Sequence, residues 1–196
     1  AISIDPSSIT THAMLGLYYR EHNDPQKAFD HFQYLAAIQT SNPVWQIELG
    51  NTALALGSVE EAVKYMQNAI DLDPASSTAW KSLARLSYVY GVDMRDTALP
   101  SIRQAILLSP EVSELRLMQG QILQALGDDY SAERSYLQAL SLDGNQIQAH
   151  FNLGVMHLER GRRDQAFFHL SKAAMASADL PEKDLALRYI QLYFEQ

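Results

Sequence analysis

Six histidines and no cysteine bound the chemistry open to this 196-residue chain. His150 and His157 stand seven apart, a spacing that puts both on one face of a helix and so raises the question of a metal site. No third ligand follows in register, because His12, His22, His31 and His169 lack the spacing of motifs such as H-E-x-x-H. Asp128 and Asp129 form a carboxylate pair, but adjacent acids after Gly127 and before an apolar-periodic run are explained as helix caps. A serine nucleophile would need a histidine and an acid converging on a rigid strand–turn–helix, and no strand pattern is present. The glycines belong to helix contacts and turns, which leaves none for a phosphate loop. Without cysteine there are no disulfides, thiol nucleophiles or Cys-based zinc sites, while the compartment stays open. The expectation is a chain that is not an enzyme, with no catalytic residues, no metal and no cofactor.

What the chain repeats is packing. Gly16, Gly50, Ala84, Gly120 and Gly154 are spaced 34, 34, 36 and 34 residues apart. A second small-residue series, Ala28, Ala62, Ala98, Ala132 and Ala166, keeps the same register, as does Leu35, Ala69, Ala105, Ala139 and Ala173. Each period is then one unit that cannot bury its apolar face alone, and stacked copies make a continuous core with an extended surface.

Within a period the pattern reads as two helices. Leu115, Met118, Ile122 and Leu126 form the stripe of a helix buried along one side. Gly127 ends that helix, and Ala132, Tyr136, Ala139 and Leu140 form the stripe of the next. Gly57, Gly91 and Gly161 repeat the punctuation, with Asn23 in their place in the first period. Pro74 and Pro110 close second helices, because proline cannot continue them. Small residues at mid-helix bring two axes toward the short end of the ~8–10 Å packing range. The third period carries two extra residues in Val92–Thr97, so Asp96 or Thr97 is the expected N-cap, with Pro100 in the first turn that follows.

These residues resemble the tetratricopeptide repeat, whose signature is W-x2-L-G-x2-Y…A-x3-F…P over ~34 residues. Leu15-Gly16 with Tyr19, Ala28 and Phe32 match in the first period, Trp80, Leu83 and Ala84 in the third, and Leu153-Gly154 with Ala166 in the fifth. Trp45 stands one position early, Ser87 and His157 replace the Tyr, and Gly144 and Ala178 replace the Pro. The resemblance implies an all-α fold, a right-handed solenoid of helix–turn–helix units. Its divisions are the end of a truncated repeat (1–6), repeats at 7–42, 43–76, 77–112, 113–146 and 147–180, and a capping helix or the start of another repeat (181–196). His150 and His157 occupy packing positions in this scheme, so they are read as buried, hydrogen-bonded imidazoles. Ala1–Pro6 reads like Ala69–Pro74, the close of a later repeat, which suggests a piece of a longer protein; a mature terminus left by signal-peptide removal is the rival.

In this family the first helix of each repeat lines the concave face, and the resemblance implies that three positions per repeat point into it. Here they hold Ala13, Leu17 and Arg20; Ile47, Asn51 and Leu54; Lys81, Arg85 and Tyr88; Leu117, Gln121 and Gln124; and Phe151, Val155 and Leu158. Lys81 and Arg85 are neighbours on their helix, Asn51 should lie opposite Arg85, and no acidic residue falls on the strip. That is a seat for an acidic side chain or a carboxyl terminus, with Ile47, Leu54 and Phe151 for apolar neighbours. Glu21, Glu114 and Glu159 are the acids that would neutralise it. The two-carboxylate clamp of chaperone-binding members is not matched, because Arg85 and Met118 stand where it needs Asn.

The expected function is protein–protein interaction, with a peptide or partner helix in the groove. The rivals are the substrate-recognition arm of a larger enzyme and a scaffold that self-associates through its N-terminal end. A net charge of −8 argues against nucleic acid, and no stretch approaches the ~18 apolar residues of a membrane span. A soluble chain is expected, with cytoplasm and periplasm both open.

Overall fold

In the computed structural model of the chain, residues 8–177 and 180–195 are described. Eleven α-helices and no strand occur among them. They divide into two units that part between Leu108 and Ser109. The reading of Ala1–Pro6, and the place of Ala178, lie outside the described residues.

The first unit holds three antiparallel hairpins. They are α1 (Ile9–Glu21) with α2 (Pro25–Ile38), α3 (Pro43–Ala55) with α4 (Val59–Leu72), and α5 (Ser77–Tyr90) with α6 (Leu99–Leu108). Each helix packs on the next in sequence, so the hairpins stack in chain order. The second unit repeats the plan with α7 (Ser113–Ala125) on α8 (Asp129–Leu142) and α9 (Ile147–Glu159) on α10 (Arg163–Ala174). A final helix, α11 (Pro181–Phe194), covers α10 and the edge of α9, burying Ala186 completely. Stacked helix hairpins in both units make this an all-α solenoid.

The mid-helix small residues do what their spacing suggested. A Cβ on Gly16 would stand 2.6 Å from Phe32 Cε1, and one on Gly154 would stand 2.7 Å from Leu170 Cγ. Both partners are fully buried, so the first helix of each hairpin lies against a large apolar side chain of the second. Turns follow the expected chemistry as well. Asn23 has φ +57°, and Gly57, Gly91, Gly127 and Gly161 lie between +67° and +83°. Asp128 caps α8 by accepting from Ser131 N–H at 3.1 Å, while Asp129 sits in the first turn, where its charge complements the dipole.

The third hairpin departs from expectation. Neither Asp96 nor Thr97 is an N-cap, because the chain is already helical there, in a wide π-helical turn over Met94–Ala98 that runs directly into α6. Asp93 precedes it with φ +43°. Leu99 N–H reaches back five residues to Met94 C=O, just before Pro100, which has no N–H to give and a ring that crowds an ordinary turn. The two extra residues are thus absorbed as a π-bulge rather than as loop.

Candidate functional site

Three helices of the first unit bring two of the strip's basic residues, Arg20 and Arg85, to one cleft. Arg20 lies in the last turn of α1, Asn51 and Leu54 on α3, and Arg85 on α5. They line a surface cleft of about 430 Å3, with Val89 and Tyr90 at its apolar side. Arg85 Nη2 approaches Asn51 Oδ1 at 3.5 Å, the outer limit of a hydrogen bond, so the guanidinium is oriented more than it is tied. One guanidinium is committed elsewhere: Arg20 is ion-paired to Glu48 of α3. The acid that holds Arg20 is thus Glu48, which the sequence reading did not single out. What remains is one exposed, planar, bidentate donor beside an amide and an apolar wall, a geometry suited to a carboxylate next to a hydrophobic group.

Other residues of the implied strip are placed differently. Ile47 is only 8% exposed and packs in the core with Met66 and Leu83, so it offers an incoming group little surface. Leu117 is likewise buried, and Ala13 packs against the core of the first hairpin. Lys81 and Tyr88 are half-buried and do not line the cleft; Val89 and Tyr90, one and two residues further along α5, do. In the second unit Gln124 accepts from the hydroxyl of buried Tyr136 at 2.7 Å, which turns its carbonyl inward. Phe151 packs edge-on against Tyr189 of α11 at 5.9 Å. Gln121 and Val155 are half-buried.

The histidines form a group that spacing alone did not show. His150, His157 and His169 meet between α9 and α10. His150 Nε2 lies 3.1 Å from Gly144 C=O, and a carbonyl only accepts, so that nitrogen carries the proton. His150 Nδ1 is then a bare acceptor for His169 Nδ1–H at 2.9 Å. His157 is buried, and its Nδ1 meets no hydrogen-bond partner among the described residues, against the expectation of a bonded imidazole. Burial, and secondarily the two neighbouring imidazoles, pushes His169 down to about 4. Burial also holds His150 and His157 below the usual imidazole range. His12 and His31 reproduce the pair in the first hairpin at 3.0 Å, with the same offset of 19 residues. That shared offset was the signal available in the sequence. Among the described residues no group of three or more His, Asp or Glu is arranged to hold a metal ion.

Stacked helix hairpins with a surface cleft define a helical-repeat protein of the interaction-scaffold class. No helix among the described residues is long and apolar enough to cross a membrane. Two family models, both described as tetratricopeptide repeat, match residues 19–87 and 117–181, and the chain belongs to that family. It is 27% identical over 185 residues to anaphase-promoting complex subunit 3 of Schizosaccharomyces pombe, covering 94% of this chain and 27% of that protein. It is 23% identical over 154 residues to the human protein O-mannosyl-transferase TMTC3, covering 72% of this chain and 17% of that protein. The chain therefore spans less than a third of either relative. Among solved structures it is similar to YrrB, described as a tetratricopeptide protein with an unusual peptide-binding site, with a TM-score of 0.68, 19% identity, and coverage of 95% and 94% of the two chains.

Proposed function

We propose that the cleft between α1, α3 and α5 binds a segment of a partner protein that presents a carboxylate, from Asp, Glu or a chain terminus, beside an apolar side chain. One observation carries the reading: Arg85 is exposed and oriented by Asn51, with Val89 and Tyr90 alongside. A guanidinium binds a carboxylate with two parallel N–H donors, and an adjacent apolar wall selects what flanks it. YrrB, which shares the fold, is described as having a peptide-binding site, which agrees with a peptide as the kind of ligand and says nothing of its charge.

Selection of a random peptide library on the purified chain tests this. Enriched peptides should carry an acidic group or free carboxyl end next to a hydrophobic residue. They should lose at least ten-fold in affinity for Arg85→Glu at unchanged helicity. Enrichment of peptides indifferent to both Arg85→Glu and Asn51→Ala overturns the assignment.

A second reading is favoured by the similarity to a mannosyl-transferase, of which this chain covers a small part. There the array would be a recognition arm of a larger enzyme. Transferase activity that persists in full when these repeats are deleted from the parent protein would exclude that role.

A further inference from the structure

We infer that the second unit carries a separate docking surface for an acidic, apolar-bearing segment of a partner protein, on the exposed face of α8. A cleft of about 480 Å3 lies there, lined by Tyr130, Glu133, Arg134 and Leu137 of α8 and by Arg160 and Arg162 from the turn between α9 and α10. Tyr130, Arg134 and Leu137 follow one another at helical spacing and so share a face. That face is open: Tyr130 is 81% exposed and Leu137 is 48% exposed. Tyr130 and Arg134 side by side are of the residue types enriched at interface hot spots, and Leu137 extends the apolar surface between them and the arginines of the turn.

Charge decides the occupant. Glu133 is held by Arg160 and, at 3.2 Å, by Arg162, while Arg160 also lies 3.5 Å from Asp129. Three guanidiniums thus meet two carboxylates, and Arg134 makes no ion pair among the described residues. A local positive excess in a chain of net charge −8 selects an anionic group. The two interleaved carboxylates disfavour a run of phosphates, such as nucleic acid or a lipid surface offers, because each would face like charge at close range. A single Asp or Glu can pair with Arg134 while its apolar neighbour rests on Tyr130 and Leu137. All of these residues belong to the second unit, so this surface does not depend on the Arg85 cleft.

The test uses the full chain and a fluorescent peptide pool built from Asp, Glu, Leu and Phe, with a matched pool in which Asn and Gln replace the acids. Anisotropy should show the acidic pool binding at least ten-fold tighter than the neutral one. Arg134→Glu combined with Tyr130→Ala should remove at least ten-fold of the acidic-pool affinity that Arg85→Glu leaves in place. Both changed residues are exposed, so circular dichroism should be unaltered. Equal binding by the double variant and the wild type overturns the inference. So does binding abolished by Arg85→Glu alone, or a dependence on Arg134 seen only with anionic vesicles or only in self-association.

Discussion

A Cβ on Gly120 would stand 2.5 Å from Cε1 of Tyr136, closer than any allowed contact, and Tyr136 is fully buried with its hydroxyl bonded to Gln124. The ring cannot retreat without leaving that bond. Gly50 faces a softer neighbour, since its Cβ would meet the terminal methyl of Met66 at 2.8 Å. Alanine should gain up to about 1 kcal/mol of helix propensity at either site. At Gly120 overpacking of about 1–3 kcal/mol outweighs that gain, so Gly120→Ala is destabilising. At Gly50 the thioether can shift but the Ala62 carbonyl oxygen, 3.3 Å from the added Cβ, cannot, so Gly50→Ala is destabilising by less than Gly120→Ala. Urea denaturation of the two variants compares them directly, and equal midpoints would refute the distinction.

Glu48 restrains the cleft by holding Arg20. Replacing Glu48 with Gln frees that guanidinium to join Arg85, and acidic peptides selected on the wild type should bind roughly three- to ten-fold tighter. Isothermal titration at fixed salt reads the change. Weaker binding would mean that the pair builds the cleft rather than masking it.

Acidification should act on the second unit through its histidines. The folded-state positions of His150, His157 and His169 all lie below the ordinary value of 6.5, His169 at about 4. The unfolded chain therefore takes up protons first as pH falls, and stability is complete above about 6.5 and declines from there toward about 4. Protonation also puts N–H on both nitrogens of the 2.9 Å His150–His169 contact, which then repel. Glu133 and Asp143 oppose the loss, while Arg160, Arg162 and Lys172 add to it. His169→Gln should flatten the dependence of the denaturation midpoint on pH between these limits; an unchanged slope would assign the acid sensitivity to other groups.

Asp93 holds φ +43° and its side chain makes no capping bond to the π-helical turn it precedes. A side chain in this region costs about 1–2 kcal/mol, which glycine avoids. Asp93→Gly should thus be neutral or stabilise by up to about 1 kcal/mol, despite glycine's greater entropy when unfolded. Asn23 has the same sign of φ, and Asn23→Val should destabilise by about 1–2 kcal/mol. Thermal unfolding measures both.

The helix pairs, their turns and their stacking order could be read from residues alone, because each depends on local periodicity. Gly16 against Phe32 and Gly154 against Leu170 repeat one offset, and Asn23 stands where the other turns have Gly. The π-turn at Met94–Ala98 could not be read the same way. An extra pair of residues and a proline can be absorbed as loop or as widened helix, and the choice depends on the packing of α5 and α6 around them.

Of the candidate cleft, Arg20, Asn51, Leu54 and Arg85 were among the positions that the family resemblance implied. The pairing of Glu48 with Arg20, the inward turn of Gln124 toward Tyr136 and the burial of Ile47 were not. The chain's own order determined that small residues recur where helices must touch, a one-dimensional property with a period of about one hairpin. Only the tertiary structure decided which charges cancel and which imidazoles meet, because side chains from different helices find one another through rotamer and rotation, and those are set by the packed neighbours rather than by the interval between residues.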